Sequence, residues 1–412
     1  MLIVQKYGGT SVADAEKIFS AANKIADDHH KNHAMVIVLS AQGNTTDLLL
    51  EKAGEISKRP SKRELDALLA TGEQQSAALM AMALKEQGLP AISLNARQAG
   101  IFSTSEHGCA KIVSINPERI KAELNNRNIV VITGFQGVDI YGEITTLGRG
   151  ASDTTAIALA AALSADLCEI YTDVEGIFTA DPRIVKNAHK YKEIDYDEIL
   201  ELSGMGASVL HSRSVELAKK FDIEFSVKSS GEMASSTQIK KVDSIEKKLV
   251  SGITADRNIC KVSIMNVRPG CIPMIMRRLS LKGISVDIIT HDIADKSERL
   301  SFAIAERDAE RTIEVLGEHQ GECFFKLLST KDRLAKLSVI GIGIAYDTAI
   351  AAIFYETLMK EGVKLHLLSL SGSKISALIA QDEVSGVINS LHRRFEEEGM
   401  LAPQVLKGGE DA

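Results

Sequence analysis

Leu2-Ile3-Val4-Gln5-Lys6-Tyr7-Gly8-Gly9-Thr10-Ser11 runs from an apolar strand through a lysine into a Gly-Gly turn, and the turn opens an amphipathic stretch at Ala13–Ala26. A strand, a glycine turn and a helix in that order form the first half of a βαβ unit. The same alternation continues along the next two hundred residues. Short apolar runs at Ala34–Leu39, Ala91–Leu94, Ile129–Ile132, Cys168–Tyr171 and Ile223–Val227 are separated by helical patterns at Glu64–Gln87, Pro117–Asn125, Ser152–Leu163 and Gly206–Lys219. The pattern predicts an α/β fold, a mostly parallel sheet sandwiched by helices. Ligands of such sheets bind beyond the carboxyl ends of the strands, so the loops that follow the strands should carry the chemistry.

Beyond a polar stretch at Ser229–Lys248 a weak internal repeat begins. Lys261–Ile264, a helical pattern to Leu279 and Gly283–Ile289 form one copy. Lys336–Val339, a helical pattern to Leu358 and Gly362–Leu368 form the other, and each copy continues into a further strand and helix. The order is that of a ferredoxin-like βαββαβ unit. The expected domains are therefore 1–245, 250–330 and 331–412, with strands of the last two open to interlacing.

Composition narrows the function. The 412 residues are 45% hydrophobic and 25% charged, which fits a globular protein of two or three domains. No apolar run reaches the roughly 18 residues of a membrane helix, and the first residues lack a signal-peptide pattern, so the reading expects a cytoplasmic protein with no membrane partner. A net charge of −7, the absence of Trp and only 4% aromatics argue against nucleic acid. Five scattered cysteines without a C-x-x-C fit reduced thiols acting as small core residues, and His29-His30-x-x-His33 reads as a solvated helix end, so no metal site is expected.

Four segments stand out. In Lys6–Ser11 the glycines let backbone approach a phosphate, the helix start offers free N–H groups, and Lys6 adds a point charge; a plain strand-to-helix turn is the alternative. In Thr145-Thr146-Leu147-Gly148-Arg149-Gly150-Ala151-Ser152-Asp153-Thr154-Thr155-Ala156, glycines bracket an arginine suited to a carboxylate, and Ser152 or Asp153 caps a helix. The polar loop Tyr171–Arg183 offers Asp173 for hydrogen bonding, Phe178 for a base and Arg183 for phosphates, or is structural. Ser40–Asp47 and Thr71-Gly72-Glu73 complete the set.

Together these segments resemble the aspartate kinases of the amino-acid kinase superfamily, over essentially the whole chain and including two C-terminal ACT-type units. The resemblance implies that ATP, with Mg²⁺ held mainly through its phosphates, phosphorylates the β-carboxylate of aspartate. Lys6 and Asp153 are then the catalytic pair, Asp153 organising Lys6. Tyr7, Gly8, Gly9, Ser40, Thr172, Asp173, Phe178, Asp181, Arg183 and Lys228 fall on nucleotide-binding segments. Thr45, Glu73, Arg149, Gly150, Ala151 and Ser152 fall on substrate segments, with Glu73 for the amino group and Arg149 for the α-carboxylate. A homodimer or higher homo-oligomer and an amino-acid effector at the ACT units are also implied, as is a place at the head of lysine, threonine and methionine synthesis. The regulatory half departs from the family pattern: Val267 and Gly372 replace acids that could pair with an effector ammonium, which implies weak, absent or redirected feedback by lysine or threonine. Another small amino-acid carboxylate as substrate, or a silent sensor on the same scaffold, are the competing readings.

Overall fold

The structure is a computed structural model that describes residues 1–148, 150–204, 210–231, 236–242, 250–268, 270–294, 297–318, 326–329, 333–341, 343–344 and 347–401. Two compact units emerge. The first takes the described residues of 1–177, 190–203 and 210–242, and the second takes 178–189 and those of 250–401.

The first unit opens with β1 (Leu2–Tyr7), α1 (Ala15–His30), β2 (Ala34–Leu39), α2 (Thr45–Ile56) and α3 (Lys62–Glu86). It continues with β3 (Ala91–Leu94), β4 (Ile101–Ser103), β5 (Ile112–Ile115), α4 (Glu118–Asn125), β6 (Ile129–Thr133), β7 (Gln136–Val138) and β8 (Ile144–Thr146). It closes with α5 (Ala151–Leu163), β9 (Leu167–Thr172), β10 (Glu193–Ile194), α6 (Tyr196–Gly204), α7 (Ser212–Phe221), β11 (Phe225–Ser229) and β12 (Ser236–Ile239).

Eight strands form the main sheet in the order β10-β12-β11-β9-β1-β2-β6-β3. From β11 to β3 every pair is parallel, and β12 joins β11 antiparallel. The central strands are buried on both faces, which is why β2 and β6 read as near-continuous apolar runs rather than alternating ones, while β1 also buries Gln5 and Lys6. One face packs Tyr7, Met35 and Ile37 against Ile18 and Ile25 of α1 and Met80 and Leu84 of α3. Each fully buried Ile, Leu or Met contributes roughly 1.5–3 kcal/mol. α5 is buried almost throughout, and its small alanines let it lie close to the sheet. A second sheet, β5-β4-β7-β8, has strands of three or four residues. Neither this sheet nor α2 was predicted; Ser40–Asp47 reads as loop in sequence, but Thr45 begins a helix.

The second unit contains β13 (Gly252–Val267), α8 (Ile272–Leu281), β14 (Asp287–Ala294), β15 (Ser297–Ala305), α9 (Ala309–Gly317) and β16 (Lys326–Ser329). β17 (Leu334–Ile340), α10 (Thr348–Lys360), β18 (Leu367–Ser371), β19 (Lys374–Ala380) and α11 (Val384–Glu397) follow. Its sheet runs β14-β15-β13-β17-β19-β18, with β16 also on β13. All of these pairs are antiparallel. β13 serves both repeats: Gly252–Ile259 pairs with β17, and Ile259–Val267 pairs with β15. Two cores result. One joins Ile275 and Leu279 of α8 to Val262 and Phe302; the other joins Phe354 of α10 and Leu391 and Phe395 of α11 to Leu337 and Ile379. The fold is the expected one, a helix-sandwiched, mostly parallel sheet followed by ferredoxin-like ACT units.

Segment 178–189 belongs to this second unit. Ala180 and Val185 enter its core, and Ile253 N donates to Thr179 O at 2.8 Å. Thr179 Oγ1 accepts from His189 N and meets His392 Nε2, both at 3.0 Å, while His189 Nε2 lies 3.0 Å from Glu396 Oε1. Of the cysteines, Cys168 and Cys260 are buried as expected, but Cys109 is exposed because it sits on a turn outside either sheet; Cys323 lies outside the described residues.

Candidate active site

β1, β2, β6 and β9 end side by side, with Tyr7 beside Leu39 and Tyr171, and Leu39 beside Thr133. At this edge Gly8 N donates to Tyr171 O, Ser40 N to Tyr7 O and Gly43 N to Gly9 O. These bonds fold the turns after β1 and β2 onto one another. A Cβ on Gly9 would stand 2.5 Å from Ala41 O, so only glycine permits that approach.

Lys6 and Tyr7 are neighbours in a strand and leave it on opposite faces. Tyr7 joins the α1 core and stacks on Tyr171, with ring centroids 4.6 Å apart. Lys6 turns toward α5, where its Nζ lies 2.7 Å from Asp153 Oδ1 and both side chains are about nine-tenths buried. An ion pair so buried persists only when its geometry and neighbours offset the loss of water. Asp153 stands in the first turn of α5, where the helix dipole favours an anion. Ala151, Ser152 and Thr154 are buried in the same turn. Gly150 precedes it at φ +72°, in the left-handed region, with His211 packed where a Cβ would go. Arg149 lies outside the described residues.

Glu73 reaches the same edge from α3. It is 3% exposed, its Oε1 accepts from Ala41 N at 3.1 Å, and burial pushes its pKa up to about 7. Its Oε2 is buried with no hydrogen-bond partner among the described residues, as are the hydroxyls of Ser11, Thr133 and Thr154. Such groups cost about 1–3 kcal/mol each when unpaired, and a polar ligand is what could satisfy them. Thr45, at the start of α2, lies beside Gly72, its Cγ2 3.5 Å from where a Cβ would be.

The remaining predicted residues separate into two groups. Thr172 ends β9 and its Oγ1 donates to Asp173 at 3.2 Å. Lys228 stands next to last in β11 but pairs with the buried Glu169 and lies over the Tyr171 ring, on the Tyr7 face rather than the Lys6 face. Phe178, Asp181 and Arg183 belong to the second unit, where Arg183 forks onto Asp181 with Nη2–Oδ2 at 2.8 Å and holds that carboxyl below its ordinary range. Among the described residues no group of three His, Cys, Asp or Glu is placed to hold a metal ion.

Two carboxylates escaped the sequence reading. Glu169 gathers Gln5 Nε2, Tyr171 OH and Lys228 beneath the edge. Asp66 of α3 gathers Thr146 and the His107–Gly108 turn. Neither carries a glycine or a motif beside it, and, Tyr171 apart, their partners lie tens of residues away in sequence.

The family model described as "Amino acid kinase family" matches residues 1–229, more than half of the chain, and the chain belongs to that family. More particularly, it falls among the aspartokinases. It is 43% identical over 398 residues to Aspartokinase 2 of Bacillus subtilis, covering 96% of this chain and 98% of that one. It is 44% identical to the aspartokinase of Geobacillus stearothermophilus, covering 96% and 97%. Among solved structures, E. coli aspartokinase III in complex with aspartate and ADP superposes with a TM-score of 0.79 at 24% identity, covering 96% of this chain and all of that one, which supports the fold. Aspartate kinase from Synechocystis matches at 37% identity and TM-score 0.54, covering 96% of this chain and 70% of that one.

Proposed function

We propose that the chain transfers the γ-phosphoryl group of ATP to the β-carboxylate of L-aspartate, giving 4-phospho-L-aspartate. The observation that carries this reading is the buried Lys6–Asp153 pair at the edge where Glu73 keeps one carboxylate oxygen without a partner. The near-full-length likeness to proteins named aspartokinase supports it.

The chemistry is a problem of charge. The attacking carboxylate is already ionised near neutral pH, so it needs no general base. It must, however, approach a triphosphate tail that is itself anionic. Catalysis is then positioning and neutralisation. Lys6 supplies the cation for the phosphoryl group in transit, and Asp153 fixes the ammonium in place. Backbone N–H groups of the turn beyond Gly8 and of the α5 start serve as further donors to phosphate oxygens. Mg²⁺ arrives on ATP, held by phosphates rather than by a protein cage.

Recognition of the amino acid falls to α3 and the turn before α5. Glu73 spends Oε1 on Ala41 N and keeps Oε2 for an ammonium, whose charge restores full ionisation to a carboxyl that burial has made weakly acidic. Arg149, Gly150, Ala151 and Ser152 lie in sequence where the α-carboxylate would be gripped. Thr45 is assigned a further substrate contact, and Ser40, Thr172 and Asp173 contacts to the nucleotide.

The same reading extends to a role at the head of lysine, threonine and methionine synthesis and to assembly through the ACT units as a homo-oligomer. With Val267 1% exposed inside β13 and Gly372 in the turn between β18 and β19, neither position offers a carboxylate to an effector ammonium, so lysine plus threonine at submillimolar concentration should inhibit weakly or not at all. The deciding assay for the activity is hydroxamate formation with ATP, Mg²⁺ and hydroxylamine across several carboxylic acids. Aspartate should be strongly preferred; signal only with another acid, or none, would overturn the assignment.

A further inference from the structure

Asp66 lies seven residues before Glu73 on α3, almost two full turns, so both carboxylates leave the helix on the same side. It is 1% exposed. Its Oδ1 accepts from Thr146 Oγ1 at 2.6 Å. Its Oδ2 accepts from Thr146 N at 2.9 Å and Gly108 N at 3.0 Å, and lies 2.9 Å from His107 Nδ1. With three donors and the His107 ring nitrogen around it, the buried carboxylate is engaged within the fold rather than presented to a substrate. Burying an anion this completely is costly unless the donors replace its water, as they do here.

What those donors belong to gives Asp66 its meaning. Thr146 is the last residue of β8, and the chain passes directly from it through Leu147–Gly150 into α5 with Ser152 and Asp153. Leu147 N donates to Phe135 O at 2.8 Å, and Leu147 O accepts from Arg213 Nη1 at 2.8 Å, so the start of this turn is pinned from three sides. The Gly108 carbonyl stands 3.7 Å from where a Cβ on Gly148 would be. Asp66 therefore fastens the root of the turn that contains Arg149 in sequence to the helix that carries Glu73.

We infer that Asp66 is a positioning residue for the amino-acid substrate: by clamping Thr146 and the His107–Gly108 turn to α3, it sets the spacing between Glu73 and the Leu147–Gly150 turn. This rests on the reading that these two elements recognise the ammonium and the α-carboxylate. The nucleotide turns after β1 and β9 take no bond from Asp66, and α5 with Asp153 is held by burial along its own length, so the loss should fall mainly on aspartate. Small displacements of positioning groups carry large kinetic effects.

The test is steady-state kinetics of the full chain with Asp66→Asn, Thr146→Val, Thr146→Ser and the double variant Asp66→Asn/Thr146→Val. Asparagine keeps the shape but turns an NH2 toward donors. We expect Asp66→Asn to raise KM for aspartate about 10- to 100-fold with KM for ATP within about twofold, a split that general loss of structure does not produce. Thr146→Val should raise KM for aspartate by a smaller factor, Thr146→Ser should restore it, and the double variant should be no worse than Asp66→Asn alone. Parallel rises in both KM values, an unchanged aspartate KM in folded Asp66→Asn, or multiplying effects in the double variant would overturn the inference. If Asp66→Asn does not fold, equal aspartate KM in Thr146→Val and Thr146→Ser decides against it. A wild-type chain without aspartate-dependent ADP release would instead overturn the assigned activity.

Discussion

The Lys6 ammonium is held by one carboxylate, Asp153, in a site that excludes most water. In the proposed mechanism, removing it deletes a transition-state cation in a low-dielectric setting, where one such donor is worth ~3 kcal/mol or more. Lys6→Ala should retain ATP binding by calorimetry while kcat falls on the order of 100-fold or beyond; near-normal turnover would remove Lys6 from its role. Glu73 gives a second test. Its pKa in the free protein is pushed up to about 7, so below that pH it is protonated and offers no anion to an ammonium. kcat/KM for aspartate should therefore climb with pH up to about 7 and level off, and Glu73→Gln should lower and flatten the profile. Both residues were legible in sequence through their company of glycines and hydroxyls. Asp66 was not, because its chief partner, Thr146, is 80 residues away and a lone acid in a helical pattern carries no mark of burial.

At the scale of elements, the strands of the parallel sheet were readable to within a residue or two, because strands covered on both faces are mostly apolar; β1 is the exception, its apolar run Leu2–Val4 continuing three residues further through the buried Gln5 and Lys6 to Tyr7. The strands of the small sheet were not. Phe102 and Val113 are exposed apolar residues within runs of three or four, so neither periodicity nor length distinguishes them from loop. The turns are the elements most sensitive to substitution. Gly9→Ala places a methyl 2.5 Å from the Ala41 carbonyl, which cannot yield as a flexible side chain could. A cost of about 1–3 kcal/mol is expected, seen as a lower Tm and a fall in kcat/KM for ATP of about tenfold, the equivalent of ~1.4 kcal/mol; an unchanged Tm and KM for ATP would show the turn to be plastic.

On the scale of the molecule, the repeat of two ferredoxin-like patterns was visible in sequence, but the allocation of 178–189 to the second unit was not. Read along the chain, those residues continue a polar loop; Ala180 and Val185 are anchored by apolar residues more than sixty positions later. The same segment brings His189 and Thr179 to His392, whose pKa is lowered by burial. The unfolded histidine, with an ordinary pKa near 6.5, takes up a proton that the folded one refuses. The second unit should therefore lose stability as pH falls below about 6.5, and His392→Gln, which can still bond Thr179, should reduce that slope in thermal unfolding scans between pH 8 and 5.

The sixteen-residue β13 lends its first half to one repeat and its second half to the other. A chain ending between the repeats would leave Gly252–Ile259 as an unzipped margin, a template for pairing with other chains. Recombination that swaps a single repeat would inherit the same frayed border. The two copies, however they arose, are now heritable only as a pair.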